Sequence, residues 1–93
     1  MTSYTVNYDL RNEDNSFDYE VLWDELKRLN GHKTQYSMWL VAVNNTAKEL
    51  HDHLKSFVDS NDRILVSEIT KNNYYSNAIG GTNGWLASNP PGR

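Results

Sequence analysis

The sequence predicts an α+β fold, and three observations support that prediction. Residues 4–10 alternate apolar and polar side chains, which is the period of a strand with one buried face. Residues 37–43 form an almost unbroken apolar run that is too short for a free-standing helix. Two segments with helical periodicity separate the strand patterns, so helices and strands share one small domain.

The first helix is predicted over residues 18–29. It follows a polar loop at residues 11–16, and Ser16 or Asp18 suits its start. Asn30-Gly31 is a typical stop signal, and two basic residues precede it in the last turn. The apolar positions recur at helical spacing and predict one buried face, formed by Tyr19, Leu22, Trp23, Leu26 and Leu29.

The run at residues 37–43 is predicted to be a central strand covered on both faces, with residues 32–36 as a short strand or lead-in before it. Thr46 and Glu49 then fit a capping box at the start of a second helix. Residues 63–69 form the last strand pattern. The buried stripe expected for the second helix is Ala47, Leu50, Leu54, Phe57 and Val58.

The resulting order is strand, helix, strand, strand, helix, strand, which is the ferredoxin-like βαββαβ arrangement. It predicts an antiparallel sheet with the first and third strands in the middle and two helices on one face. Because the central strand is apolar on both sides, a second copy of the chain is expected to cover the other face. The sequence therefore predicts a homodimer.

Residues 70–93 differ in composition from the ferredoxin-like domain predicted over residues 1–69. They form a polar, Gly- and Asn-rich tail that ends in a Pro-Pro-Gly-Arg terminus. Disorder is one interpretation, and docking on the partner subunit or addition of an extra C-terminal strand is the other. The second interpretation depends on the apolar residues of the tail, which are Tyr74, Tyr75, Ile79, Trp85 and Leu86.

Composition excludes several classes of function. None of the 93 residues is cysteine, which excludes disulfide frameworks, thiolate metal sites and cysteine nucleophiles. A net charge of −3 argues against a broad nucleic-acid footprint. We expect no membrane association and a cytoplasmic location, because neither a targeting segment nor a span of about 20 apolar residues is present.

Three short stretches resemble the small CRISPR-associated Cas-two proteins, and also the virulence-associated D proteins and short phage or bacterial relatives. They are Tyr8-Asp9-Leu10 at the end of the first strand, Gln35-Tyr36-Ser37-Met38-Trp39 entering the third, and Asn61-Asp62-Arg63-Ile64-Leu65-Val66 entering the fourth. The resemblance extends from residue 4 to residue 69 and implies a ferredoxin-like homodimer with facing sheets.

The same resemblance implies a site. Asp9 corresponds to the aspartate that pairs across the two-fold axis and, in relatives reported as nucleases, holds a divalent metal. Ser37, with Trp39 in place of the commoner Phe, matches the serine-x-aromatic element beside that site. The implied activity is Mg²⁺- or Mn²⁺-dependent cleavage of RNA or DNA, in the setting of CRISPR and phage defence. One carboxylate from each subunit is chemically sufficient for magnesium.

Other observations favour a different class of function. Only Arg11 follows the first strand closely, and the acidic Glu13 and Asp14 come next, whereas nucleic-acid-binding relatives tend to carry further arginines. An aspartate at the end of a strand is also well explained by turn chemistry. The alternative is a non-catalytic dimeric interaction or scaffold module, of phage or mobile-element origin, that binds a protein or nucleic acid through its tail and dimer surface.

Three further motifs are weak as sites. His51 and His53 lie two positions apart on the predicted helix and cannot converge on one metal ion. His32, beside Gly31, is expected in an exposed loop and is at most a weak general base. The glycines at positions 80, 81 and 84 lack the lysine of a phosphate-binding loop, so a turn or linker is expected there.

Overall fold

The computed structural model describes residues 1–11 and 18–93 and has the α+β architecture that the sequence predicts. A four-stranded antiparallel sheet carries three helices. In chain order the elements are β1 (Thr2–Asp9), α1 (Glu20–Arg28), β2 (His32–Gln35), β3 (Met38–Val43), α2 (Ala47–Lys55), β4 (Arg63–Glu68) and α3 (Thr82–Ser88). The loop predicted over residues 11–16, and a helix start at Ser16, lie largely outside the described residues.

The strand order in the sheet is β2-β3-β1-β4, so β1 and β3 are the two middle strands. Each neighbouring pair is antiparallel: Val6 lies opposite Trp39 of β3 on one side and Val66 of β4 on the other. The inner face of the sheet packs against α1 and α2. The main core is therefore formed by Tyr4, Val6, Trp39, Val41, Leu22, Leu26, Leu50 and Leu54.

Local chemistry explains the bounds of α1. The Asp18 carboxylate accepts the Glu20 N–H at 3.0 Å and satisfies one free donor of the first turn. At the other end, Asn30 adopts the left-handed conformation (φ 60°), and the Gly31 N–H returns to the Leu26 carbonyl at 2.9 Å. A Cβ atom on Gly31 would lie 2.7 Å from that carbonyl oxygen, so the predicted stop signal has a steric basis.

The predicted capping box of α2 is confirmed. The Thr46 side chain accepts the Glu49 N–H at 3.2 Å, and the Glu49 carboxylate accepts the Thr46 N–H at 2.9 Å. Leu50 and Leu54 are buried as predicted. The expectation that Phe57 and Val58 extend the helical stripe is wrong, because the helix ends at Lys55; both residues nevertheless pack against the core from the following turn.

The outer face of the sheet is covered over β2 and β3 by residues 70–93 of the same chain. Helix α3 lies there, and its buried Thr82 hydroxyl is 2.8 Å from that of Thr34. The Ile79 N–H donates to the Thr34 carbonyl, and the Ser3 hydroxyl donates to the Asn89 carbonyl. Beneath this cover Leu40 is only 2% exposed. The apolar outer face of β3 therefore does not require a second copy, and the homodimer stays a prediction.

Within the described ranges the segment after β4 contains a helix and no fifth strand. Its glycine-rich part forms the turn before α3, where Gly81 has φ 99°. In this structure the polar segment docks on its own chain, whereas its composition predicted disorder, an added strand or docking on a partner. None of the described helices could cross a bilayer, since none is both long and apolar enough.

Candidate functional site

The candidate site lies where β1 ends, on the outer face of the sheet. Asp9 is the last residue of β1, and its side chain is 60% exposed. The neighbouring strand β4 begins at Arg63, which lies directly opposite Asp9 in the antiparallel register. The C-terminal segment covers the β2 and β3 side of this face, so Asp9 lies on the open half.

The Asp9 carboxylate is held by a guanidinium. Arg63 Nη1 donates to Asp9 Oδ2 at 2.7 Å. An ion pair between exposed side chains contributes little to stability, but it fixes the carboxylate and places a positive charge where a cation would bind. Within one chain, Asp9 with Arg63 therefore does not fit a divalent metal ion, which favours several oxygen ligands.

The structure brings Ser37 to the same end of the sheet. It lies in the turn between β2 and β3, and its carbonyl accepts the Tyr8 N–H at 3.1 Å. Ser37 therefore lies in the turn beside the last residues of β1, and its role in a site stays a prediction. Beside it, Tyr36 is exposed and has the Lys33 ammonium 5.1 Å from its ring centroid, a cation–π contact at the rim of the site.

Trp39 lies apart from Asp9. It is buried on the inner face, directly opposite Val6, whereas Asp9 projects from the outer face. Its indole N–H donates to the Tyr8 hydroxyl at 3.1 Å, and the indole N–H of Trp23 donates to the same hydroxyl at 3.2 Å. The aromatic residue of the serine-x-aromatic element is thus a core residue that helps fix the end of β1.

Sequence reasoning missed Arg63 as the partner of Asp9. The sequence did contain a clue. In an antiparallel pair, the last residue of one strand lies beside the first residue of the other, so Asp9 at the end of β1 and Arg63 at the start of β4 come together. Asp62 was also missed. Its carboxylate accepts hydrogen bonds from the Tyr19 hydroxyl and from the backbone N–H groups of Arg11 and Asp59, so it joins the β1–α1 connection to the α2–β4 connection near the site.

The histidines do not form a site together. On α2, His51 Nδ1 lies 3.0 Å from Asp52, and His53 Nε2 lies 2.6 Å from Glu25 of α1. Among residues 1–11 and 18–93, no group of three or more His, Asp or Glu side chains could hold a metal ion. The expectation that His32 is in an exposed loop is wrong: it starts β2, is half-buried and has Nε2 3.0 Å from the Thr82 hydroxyl.

An ionic cluster around the buried carboxylate of Glu25 joins α1 and α2. Glu25 is only 8% exposed and receives two hydrogen bonds from Arg28, both at 2.6 Å, besides the contact with His53. The Arg28 hydrogen bond lowers the pKa of Glu25 from its ordinary value near 4.5 to about 2, against the opposing effect of burial. Both carboxylate oxygens of Glu25 accept hydrogen bonds within the cluster, which is typical of a structural role.

A small cavity of about 160 Å³ lies between the outer face and the C-terminal segment. Its described lining is uncharged and mixes apolar residues such as Met38, Leu40 and Leu86 with threonine, asparagine and tyrosine side chains. The two buried threonines in it already bond each other. The lining contains no carboxylate, histidine or lysine side chain, the groups that most often act as general acids or bases.

No family model matches the chain, and no solved structure matches it significantly.

Proposed function

We propose that this chain is a non-catalytic, dimeric interaction module of ferredoxin-like fold. The fold proposal is supported by the element order through β4 and by a sheet order of β2-β3-β1-β4, with α1 and α2 on one face. The functional proposal depends on one observation above all: the Asp9 carboxylate is paired with Arg63 at 2.7 Å. A carboxylate that is hydrogen-bonded to a guanidinium is less available to bind a metal ion.

The surface around this pair is suited to a protein partner. Leu65 is 59% exposed beside it on the open half of the outer face, with Asn7 next to it on β1. The guanidinium of Arg63 is already paired with Asp9, and the chain has a net charge of −3. Nucleic-acid binding depends on clustered unpaired cations, so this combination favours protein over RNA or DNA.

Metal-dependent nuclease activity is a second proposal. It is supported by the hydrogen bond from the Tyr8 N–H to the Ser37 carbonyl, which joins the end of β1 to the turn that contains Ser37, and by the position of Asp9 on the half that the C-terminal segment leaves open. A dimer that brings two copies of Asp9 together could then hold Mg²⁺ or Mn²⁺ between them. Each Asp9 would first have to give up Arg63.

One assay separates the two proposals. Purified protein is incubated with a panel of RNA and DNA in Mg²⁺ or Mn²⁺, with and without chelator, and Asp9→Ala is compared with Asp24→Ala, which removes an exposed carboxylate on α1. We expect no cleavage that depends on both metal and Asp9. Cleavage that chelation stops, that Asp9→Ala removes and that Asp24→Ala retains would overturn the non-catalytic proposal.

The dimeric part is tested by light scattering on the full chain after size-exclusion chromatography. The expected mass is that of two copies. A mass of one copy at every concentration up to the solubility limit would contradict it.

A further inference from the structure

The cavity beneath the C-terminal segment is bounded by two distant parts of the chain. Its floor is the outer face of β1, β2 and β3 and includes Leu40, and its roof is the segment after β4 and includes Leu86 of α3. Tyr74, which is 97% exposed, lies at its margin, so the cavity opens to solvent on that side. Its volume of about 160 Å³ is close to the roughly 150 Å³ at which a protein cavity admits benzene. The cavity therefore has room for one aromatic ring.

Two buried hydroxyl groups, those of Thr34 and Thr82, line this cavity, and their hydrogen bonds can be counted. A threonine hydroxyl has one proton to donate and two lone pairs that accept. Thr82 donates its proton to the Ile79 carbonyl at 2.7 Å, because a carbonyl oxygen can only accept. Thr82 Oγ1 also lies 2.8 Å from Thr34 Oγ1 and 3.0 Å from His32 Nε2. Both of those groups must therefore donate to Thr82.

The Thr34 hydroxyl keeps unused acceptor capacity. Its single proton goes to Thr82, and in the part of the chain that the structure describes no donor bonds its oxygen. Thr34 is only 4% exposed, so bulk water has little access to this oxygen. Buried polar atoms are stabilised by a hydrogen-bond partner. A ligand in the cavity is therefore favoured if it brings an O–H or N–H donor to Thr34 Oγ1.

The rest of the lining selects an uncharged aromatic ligand. Met38, Leu40 and Leu86 supply apolar surface, and a methionine sulfur makes favourable contacts with aromatic rings. None of the described lining side chains is charged at neutral pH. An ionised ligand would lose its hydration there without gaining a partner of opposite charge, which is costly.

We propose that this cavity binds a small uncharged aromatic alcohol, a ligand of the phenol class. The ring packs against Met38, Leu40 and Leu86, and its hydroxyl donates to Thr34 Oγ1. This ligand site goes beyond the proposed interaction module and does not depend on it, because all of its lining belongs to one chain.

A titration of the isotopically labelled full chain tests the ligand class. Phenol, toluene and benzoate are added separately, and the amide resonances of the lining residues are followed. We expect saturable phenol binding with a dissociation constant of about 1 mM, which is typical of so small a ligand. Toluene, which has no donor, is expected to bind at least about fivefold more weakly, and benzoate is expected not to bind. Toluene binding as tight as phenol binding, or saturable benzoate binding, overturns the ligand class. No saturable phenol binding up to the solubility limit overturns the site.

Substitutions locate the binding. Leu86→Phe places a ring in the cavity and is expected to weaken phenol binding at least about tenfold. Leu65→Phe is the matched control: Leu65 is 59% exposed and lies outside the cavity lining, so binding is expected to be unchanged. Thr34→Val is expected to reduce the preference for phenol over toluene to less than about twofold. Thermal unfolding checks that each variant folds. Phenol binding that Leu86→Phe leaves intact, or a preference that Thr34→Val retains, contradicts the proposal.

Discussion

At the scale of single residues, the Tyr8 hydroxyl is the polar centre of the inner face. It accepts indole N–H groups from Trp23 of α1 and Trp39 of β3. The alternating pattern of β1 correctly predicts that Tyr8 faces the core, but it cannot predict these bonds, since they join three elements whose relative positions depend on packing. The two donors would be left without a partner if the hydroxyl were removed.

Tyr8→Phe is therefore expected to lower the free energy of unfolding by about 1–3 kcal/mol, because two partly buried N–H groups lose their acceptor. Urea denaturation followed by tryptophan fluorescence measures the change. Tyr36→Phe is the matched control: Tyr36 is 78% exposed, and its loss of a hydroxyl is expected to change stability by less than about 0.5 kcal/mol. Equal losses of stability in the two variants would contradict the role of the Tyr8 hydroxyl as acceptor of the two indole N–H groups.

The lowered pKa of Glu25 predicts how the stability of the chain depends on pH in the acid range. Its pKa is lowered from 4.5 to about 2 in the folded chain, chiefly by Arg28. A carboxylate with a depressed pKa in the folded state contributes stability above its unfolded pKa, and that contribution is lost as pH falls from about 4.5 towards 2. Glu25→Gln is expected to be less stable at pH 7 and to show a flatter decline over this range. Thermal unfolding of both proteins between pH 2 and 7 measures the difference, and parallel curves would argue against this role of Glu25.

At the scale of elements, the C-terminal segment is the part that sequence reasoning described least well. Its Asn, Gly and Ser content is typical of a mobile terminus, and its few apolar residues are too sparse to show a periodic pattern. What positions α3 is a set of contacts with distant strands, such as Thr82 with Thr34 and the Trp85 indole N–H with the Asn30 carbonyl. The sequence around one residue of such a pair does not show which distant residue it will contact.

Truncation after Ile69 is accordingly expected to destabilise the chain and expose Leu40, which is 2% exposed in the intact structure. The sequence alone suggested that residues 1–69 fold by themselves. Thermal unfolding and binding of a hydrophobic dye compare the truncated with the full chain. A truncated protein that melts at the same temperature and binds no additional dye would contradict the structural role of the segment.

Gly81 has a defined part in that docking. Its φ of 99° is strained for any residue with a side chain, and a Cβ atom would lie 3.0 Å from the His32 ring. Gly81→Ala is therefore expected to cost about 1–2 kcal/mol of stability. Gly80→Ala is the matched control, since a Cβ atom there meets nothing within 4 Å. Denaturant unfolding measures the free energy of unfolding of both variants. A larger loss of stability in Gly80→Ala than in Gly81→Ala would contradict this role of Gly81.

At the scale of the whole molecule, the α+β class and the positions of the strands could be predicted because strand and helix periods are local properties of the sequence. Asp9 ends β1 and Ser37 lies in the turn before β3, but a site formed by the two stays a prediction. The covering of the outer face could not be predicted. The apolar run of β3 shows that a cover exists, but it does not show whether residues 70–93 or a second copy provides it.

The central claim is that residues 70–93 cover the outer face of their own sheet over β2 and β3, and that Asp9, on the uncovered half, is paired with Arg63. The most direct measurement is isotope-filtered nuclear Overhauser spectroscopy on a mixture of labelled and unlabelled chains, directed at the contact between Thr34 and Thr82. The account predicts that this contact arises within single chains. A contact seen only between labelled and unlabelled copies would contradict it.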